Sequence, residues 1–301
     1  MKRFYLLSLL LSVICVGANA QLLYKISADG VGNPSYIIGT YHLAPASFVD
    51  SIPGARFALE TVQQVCGELD MNEMQSSENT KLLKSAMTLP DGKKLADVLT
   101  EDEMGRLNAY MKKVLGADLT NPLIRSQLGK MTPMAITSQL QLLQYMKMTP
   151  GFNPMALIDS YFQTEALKLK KSVIGFETVS FQAEVLYGSS IERQKEQLFC
   201  MIDNPEYTEQ KMKSLTDAYF SQDMNAIFTV FEETVGNCCA ATPEENDKLI
   251  YNRNADWVQK IPAIIADKST LFVVGAGHLP GERGVLNLLR EAGYTVEAVR
   301  E

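Results

Sequence analysis

The chain holds two histidines, His42 and His278, and each closes the same four-residue pattern. The first is Gly39-Thr40-Tyr41-His42 and the second is Gly275-Ala276-Gly277-His278. Each pattern follows a short apolar run, Tyr36-Ile37-Ile38 in one case and Leu271-Phe272-Val273-Val274 in the other. A strand, a tight glycine turn and a histidine are thus spelled out twice in a chain of 301 residues. Histidine is the commonest metal ligand and the usual acid or base near neutral pH. A histidine supply spent entirely on two matching strand ends points to a site rather than to packing.

The segments around these motifs read as an α/β fold. Residues 22–26 and 36–38 read as strands about the turn-rich Asp29-Gly30-Val31-Gly32-Asn33-Pro34, a hairpin. A helix follows Asp50, and 64–69 reads as a third strand. Thr100-Glu101-Asp102-Glu103 is a capping box that starts a helix, and Gly116 stops it. Further helical stretches cover 121–148, 154–170, 180–235 and 243–262, interrupted by a strand at 172–176. The chain returns to strand, helix and strand at 270–274, 284–291 and 294–299. Sheet-forming pieces at both ends predict a central mixed sheet made by the N- and C-terminal segments. The expected organisation is a leader over 1–20 and one α/β domain over 21–301, with a large helical insertion at about 76–170.

Ligands of α/β sheets collect at the carboxyl ends of strands. The predicted strands end there in His42, Glu68 (with Asp70 just beyond), Glu177 and His278. Two imidazoles and two or three carboxylates on one edge form a candidate divalent-metal site. Mixed nitrogen and oxygen donors suit zinc, manganese, cobalt or iron better than magnesium or calcium. Gly39 and Gly275 are expected to supply backbone angles that other residues avoid. Each residue also has a structural reading: Asp70 as cap of the next turn, Glu177 as cap of the helix near Ser180, Arg253 as a surface salt bridge, Trp257 as core.

The first twenty residues look like an export signal, with Lys2 and Arg3 before an apolar stretch from Phe4 to Val16 and a small-x-small site at Ala18-Asn19-Ala20. A lipoprotein signal would use Cys15, but Ile14 is bulky where that signal wants a small residue. No later stretch approaches the ~18 consecutive apolar residues of a membrane helix, so a periplasmic or secreted protein is expected. Removing Lys2 and Arg3 with the leader takes the net charge from -7 to -9. An acidic chain without a basic run argues against a nucleic-acid partner. An oxidising compartment permits a disulfide, and Cys200 with Cys238 or Cys239 is the expected pair. Cys66, mid-strand, reads as a small buried hydrophobe.

The ordered motifs resemble the TraB/GumN family, which includes the Tiki metalloproteases. The matching segments are 36–43, Gly67-Glu68-Leu69-Asp70, then 173–178 with Gln182, then Arg253-Asn254 with Trp257, and finally 272–281 leading to Gly293-Tyr294. The resemblance implies an α/β core related to the erythromycin esterase and ChaN-like group. It implies metal-dependent peptide hydrolysis, with manganese or cobalt as the ion. Carried over by position, it makes His42 and His278 the metal histidines and Glu68 their acidic partner. Glu177 and Arg253 match further family positions, here taken as catalytic.

Three functions follow. The first is an exported metal-dependent hydrolase, acting on a peptide or small-molecule substrate through a water activated at the His/Glu site. The second keeps hydrolysis without a metal, a histidine acting as general base with a carboxylate and Arg253 assisting. The third is a non-enzymatic protein that binds haem, iron or a peptide.

Overall fold

The computed structural model of the chain describes residues 21–28, 32–233 and 239–300. The leader-like segment with Cys15, the turn residues Asp29-Gly30-Val31 and Cys238 lie outside the described residues. Six strands form one mixed sheet: β1 (Leu23–Ser27), β2 (Ser35–Thr40), β3 (Gln64–Gly67), β4 (Ser172–Gly175), β5 (Thr270–Gly275) and β6 (Thr295–Ala298). Their order across the sheet is β4-β3-β5-β2-β1-β6. Strands β4, β3, β5 and β2 are parallel, while β1 is antiparallel to both β2 and β6. The expected hairpin is the β1–β2 pair.

Burial explains the sequence of the central strands. Helices cover both faces of a parallel sheet, so its strands need no polar side. All six residues of β2 and the first five of β5 are buried. Phe176, Trp257 and Phe272 stack in nearly parallel planes beneath the sheet edge. Cys66 is fully buried in β3 and free, as a small core residue.

The register sets the four parallel strand ends level. Thr40 pairs with Gly275, and Gly67 pairs with both Val273 and Gly175. Strand β3 ends at Gly67, two residues earlier than the apolar pattern suggested, so Glu68 stands on the turn and not in the strand. The two motif glycines serve a different purpose from the expected one. Neither Gly39 nor Gly275 has a positive φ. They are needed for closeness: a Cβ at Gly39 would sit 2.9 Å from Leu279 Cδ1 and 3.0 Å from Ala276 Cα, and one at Gly275 would sit 3.3 Å from a Glu68 oxygen. Gly39→Val is therefore expected to cost about 1–3 kcal/mol by overpacking. An unchanged melting temperature would show that the two turns are not wedged together.

A second apolar cluster lies away from the sheet. It joins Leu89, Leu107, Met111, Ile136 and Leu140 with Leu198, Phe199 and Ile202, so it draws on both sides of β4 in the chain. The Glu101–Leu115 helix begins at the predicted capping box, with Thr100 Oγ1 accepting from the Glu103 amide and Glu103 accepting from the Thr100 amide. It ends at Gly116, whose φ is 75°. The long helical stretches are punctuated more often than apolar periodicity alone indicates. Pro133 and Pro205 each open a new helix, at Pro133–Met148 and Pro205–Phe220, because proline lacks the amide that an interior position requires. A disulfide joins Cys200 to Cys239. Among the described residues no helix is long and apolar enough to cross a membrane.

Candidate active site

Sheet order, not chain order, brings the predicted residues together. Read across the strand ends β4, β3, β5 and β2, the side chains are Glu177, Glu68, His278 and His42. The turns after β2 and β5 carry the histidines, and His42 and His278 line one cavity of about 300 Å³ with Glu68 and Arg253. His278 Nε2 lies 3.9 Å from Glu68 Oε1.

His278 is 4 % exposed. Its Nδ1 is 2.6 Å from Asn254 Oδ1. Asn254 spends its amide nitrogen on the carbonyls of His278 and Arg283, so its oxygen can only accept. The proton of His278 therefore sits on Nδ1, and Nε2 keeps its lone pair. Burial pushes His278 down to about 4, which leaves the ring neutral at pH 7. The side of the ring lies against Trp257, with centroids 4.5 Å apart.

His42 is held in a comparable way by a residue that sequence reasoning missed. Its Nδ1 is 3.2 Å from Asp159 Oδ2, and the other Asp159 oxygen accepts from Thr40 Oγ1 at 2.5 Å. The charge of Asp159 and its hydrogen bond with the His42 ring raise His42 to about 9. The imidazole side chain is 74 % exposed to the cleft, so water screens the pair. Asp159 lies in the first turn of the Ile158–Lys168 helix, where an acidic residue has an ordinary role against the helix dipole. Nothing local marks it as a histidine partner.

Arg253 is buried at the centre, not on the surface as its structural reading had it. Nε and Nη2 hold the two oxygens of Glu177 at 2.8 and 3.0 Å, and Nη2 also reaches Glu68 Oε2 at 2.5 Å. Nη1 donates to the Leu249 carbonyl at 2.8 Å and lies 3.2 Å from His278 Nε2. A guanidinium has five N–H donors, and these five contacts use them all. Leu249 belongs to a π turn, Asp247–Tyr251, directly before the helix that carries Arg253. Such wider turns recur at functional sites.

Glu177 does not cap the following helix. Thr178 does, accepting from the Phe181 amide. Glu177 instead takes Trp257 Nε1 at 2.8 Å and Gln182 Nε2 at 3.1 Å besides Arg253, and its side chain is 2 % exposed. Gln182 also donates to Glu68 Oε2, while the Gly275 amide donates to Glu68 Oε1 at 2.8 Å. Burial would raise Glu68, but the charges of His278, Arg253 and His42 and the Gly275 amide outweigh it and bring the carboxyl down to about 2. Because His278 is neutral above about pH 4, Arg253 is the adjacent cation that keeps Glu68 ionised at pH 7. Asp70 caps the next short helix through the Asn72 amide and takes no part in the cluster.

The donor types at this edge are those of a transition-metal site. Both histidines have Nδ1 tied to an acceptor, the arrangement that orients metal-ligating imidazoles, and Glu68 adds an oxygen donor. The residue types fit. Among the described residues no group of three or more His, Cys, Asp or Glu side chains is placed to hold an ion, and Arg253 contacts both Glu68 Oε2 and His278 Nε2.

A model of the TraB/PrgY/gumN family matches residues 22–298. The chain belongs to the TraB/PrgY/gumN family. It is 26 % identical to Metalloprotease TIKI2 of Xenopus tropicalis over 305 residues, covering 88 % of this chain and 57 % of that protein. It is likewise 26 % identical to Metalloprotease TIKI1 of Homo sapiens, covering 88 % of this chain and 59 % of that protein. A Metalloprotease TIKI homolog of the sponge Amphimedon queenslandica is 22 % identical and covers 91 % of this chain and 60 % of its own length. The chain thus spans just under three-fifths of the length of the Xenopus tropicalis and Homo sapiens metalloproteases, and His42, Glu68, Glu177, Arg253 and His278 all fall within residues 22–298.

Proposed function

We propose that the chain is an exported, metal-dependent hydrolase of peptides. The observation that carries this reading is the pair of matching strand-end histidines, each with Nδ1 anchored, on one cavity beside an ionised Glu68. The names of the metalloprotease relatives support it. The leader-like N-terminus and the disulfide between Cys200 and Cys239 support export.

His42, Glu68 and His278 would hold a manganese, cobalt or zinc ion. When bound, such an ion supplies Lewis acidity toward a substrate carbonyl and toward water. The chain's own residues have separable tasks. Asp159 and Thr40 orient His42, and Asn254 fixes the His278 tautomer. Gly275 and Gln182 position Glu68. Arg253 and Glu177 are positioning residues, because Glu177 is shut away from the cleft and every donor of Arg253 is already committed. His42 is the exposed member of the set, and among the described residues its Nε2 makes no hydrogen bond and is the nitrogen that would face the ion.

Removing a histidine's anchor typically costs 10–100-fold in metal affinity or activity. Asp159→Asn and Asn254→Ala are each expected to show roughly that loss. Element analysis and metal titration of protein purified without chelator or histidine tag provide the test. About one equivalent of a transition metal, lost in His42→Ala, is the expected result. Stoichiometry that stays the same in His42→Ala and His278→Ala overturns the proposal.

A second reading rests on the Arg253 contacts. With a guanidinium already on Glu68 and His278, His42 oriented by Asp159 acts on water without an ion, as general base once it is deprotonated, so metal-free activity rises toward about pH 9. Hydrolysis that survives exhaustive chelation selects this reading.

A further inference from the structure

Two cavities meet at the candidate site. The first, of about 300 Å³, is walled by Leu186, Leu215, Tyr219, Ile227, Phe231 and Leu249. The second, of about 510 Å³, is walled largely by Leu69, Met71, Met74, Pro154, Met155 and Leu157. His42, Glu68 and Gln182 line both. Among the described residues, the charged groups lining the first are His42, Glu68 and Arg253, beside the neutral His278. In the second they are limited to His42, Glu68 and Asp159.

This arrangement has the form expected for an extended chain. Successive side chains of an extended peptide point to opposite sides. A peptide crossing His42 and Glu68 would place neighbouring side chains in the two compartments. Away from the charged groups shared with the site, the outer walls of both compartments are apolar, so a charged side chain seated against Phe231 or Met155 would give up water for no opposite charge, an unfavourable transfer. The first compartment lies at the small end of ligand-pocket sizes, roughly 300–1,000 Å³, and its wall includes the rings of Tyr219 and Phe231. It suits one bulky branched or aromatic side chain. The second is larger and thioether-rich, and methionine walls adapt to varied apolar shapes. Met155 is 88 % exposed, which no packing role explains. Gln182 directs Nε2 to two carboxylates, so its amide oxygen is left to accept a peptide N–H.

We infer that this cleft selects extended peptides with an uncharged, bulky apolar side chain on each side of the bond held at His42 and Glu68. Phe231 and Leu186 set the choice on one side, and Met71 and Met155 set it on the other. The inference rests on the hydrolase reading and deepens it. The first side should be strict and the second permissive. Loss of one or a few methylenes from a bound apolar group costs about 10–200-fold in discrimination, so a leucine-to-alanine change in the peptide should lower kcat/KM by at least about tenfold on the strict side.

The test is digestion of a library of ten-residue peptides by the full-length protein, with cleavage sites read by mass spectrometry. Phe231→Glu and Met155→Lys are compared with the wild type, after melting curves show that both fold. The expected result is cleavage between apolar residues. Each variant should change the preference on one side only, about tenfold or more, and the two variants should act on different sides. Cleavage that is indifferent to flanking aspartate or lysine overturns the inference, as does an unchanged profile in both variants; in either case hydrolysis itself would stand. Peptide binding by calorimetry separates the other failure. Apolar peptides that bind, are weakened about tenfold by Phe231→Glu and are never cleaved would refute the hydrolase reading and support the compartments. Absence of both binding and cleavage overturns the inference.

Discussion

Arg253→Met is expected to destabilise the protein by roughly 3–5 kcal/mol at pH 7, the usual cost of removing one partner from a buried ion pair. Arg253 touches two carboxylates that water barely reaches, Glu68 at 15 % and Glu177 at 2 % side-chain exposure. Methionine fills much of the same volume but leaves both without a cation. For a chain of this size the loss corresponds to a melting temperature about 10 °C lower. The pH dependence identifies the cause. Glu68 is held at about 2 in the folded protein against an ordinary 4.5. Its ionised form therefore adds stability that is fully present above about pH 4.5 and is lost as the pH falls toward 2. In the variant the Arg253 share of that depression is gone, and only the His42 charge and the Gly275 amide still oppose the effect of burial. The gap between wild type and variant should be widest above about pH 5 and should narrow on acidification. A gap that stays flat between pH 2 and 7 would show that Glu68 is not the group Arg253 stabilises. Arg253→Lys should recover only part of the loss, since an ammonium cannot reproduce the fork across Glu177 and Glu68.

The histidine variants separate chemistry from folding. His42→Ala and His278→Ala are each expected to lower peptide hydrolysis by more than the roughly 10–100-fold that loss of a histidine's anchor costs, because each removes a ligand and not its support. Their effects on stability should differ. His42 is exposed to the cleft and anchored on one side by Asp159, so its removal should change stability by no more than about 0.5 kcal/mol. His278 packs against Trp257 and satisfies Asn254 Oδ1 in the core. Its loss leaves a void and an unpaired buried acceptor, a cost of about 1–3 kcal/mol for the acceptor alone. Kinetics and thermal melts on the same preparations check both halves. A fully active His42→Ala protein would remove His42 from the reaction, whatever the metal content. Equal melting shifts in the two variants would contradict the burial difference between the rings.

The elements that carry this site were legible because their signals are local. Apolar runs gave four strands, glycines marked the turns after β2 and β5, and Thr100 with Glu103 marked a helix start that forms as read. Strand ends were harder. The run 64–69 looks continuous, yet the strand ends at Gly67, although the Phe176 and Glu177 amides still donate to the Gly67 and Glu68 carbonyls beyond it. The conformational reading of Gly39 and Gly275 failed for a related reason. A glycine signals either an unusual φ or a close neighbour, and only the packed structure tells which.

The residue types at the site, two matched histidines with Glu68, Glu177 and Arg253, could be named from the chain because each stands beside a readable strand end or in a recognisable motif. Their division of labour could not. Asp159 reaches His42 across 117 positions, and Arg253 reaches Glu68 across 185. Such contacts follow from the β4-β3-β5-β2 order and from the helices laid against it, and a propensity or spacing rule carries no information over that separation. Local sequence specifies which groups stand at a strand end. Which ring is buried and neutral, which is exposed, and which carboxylate is sealed behind a guanidinium depend on burial and on the nearest charge, and those exist only once the chain is folded.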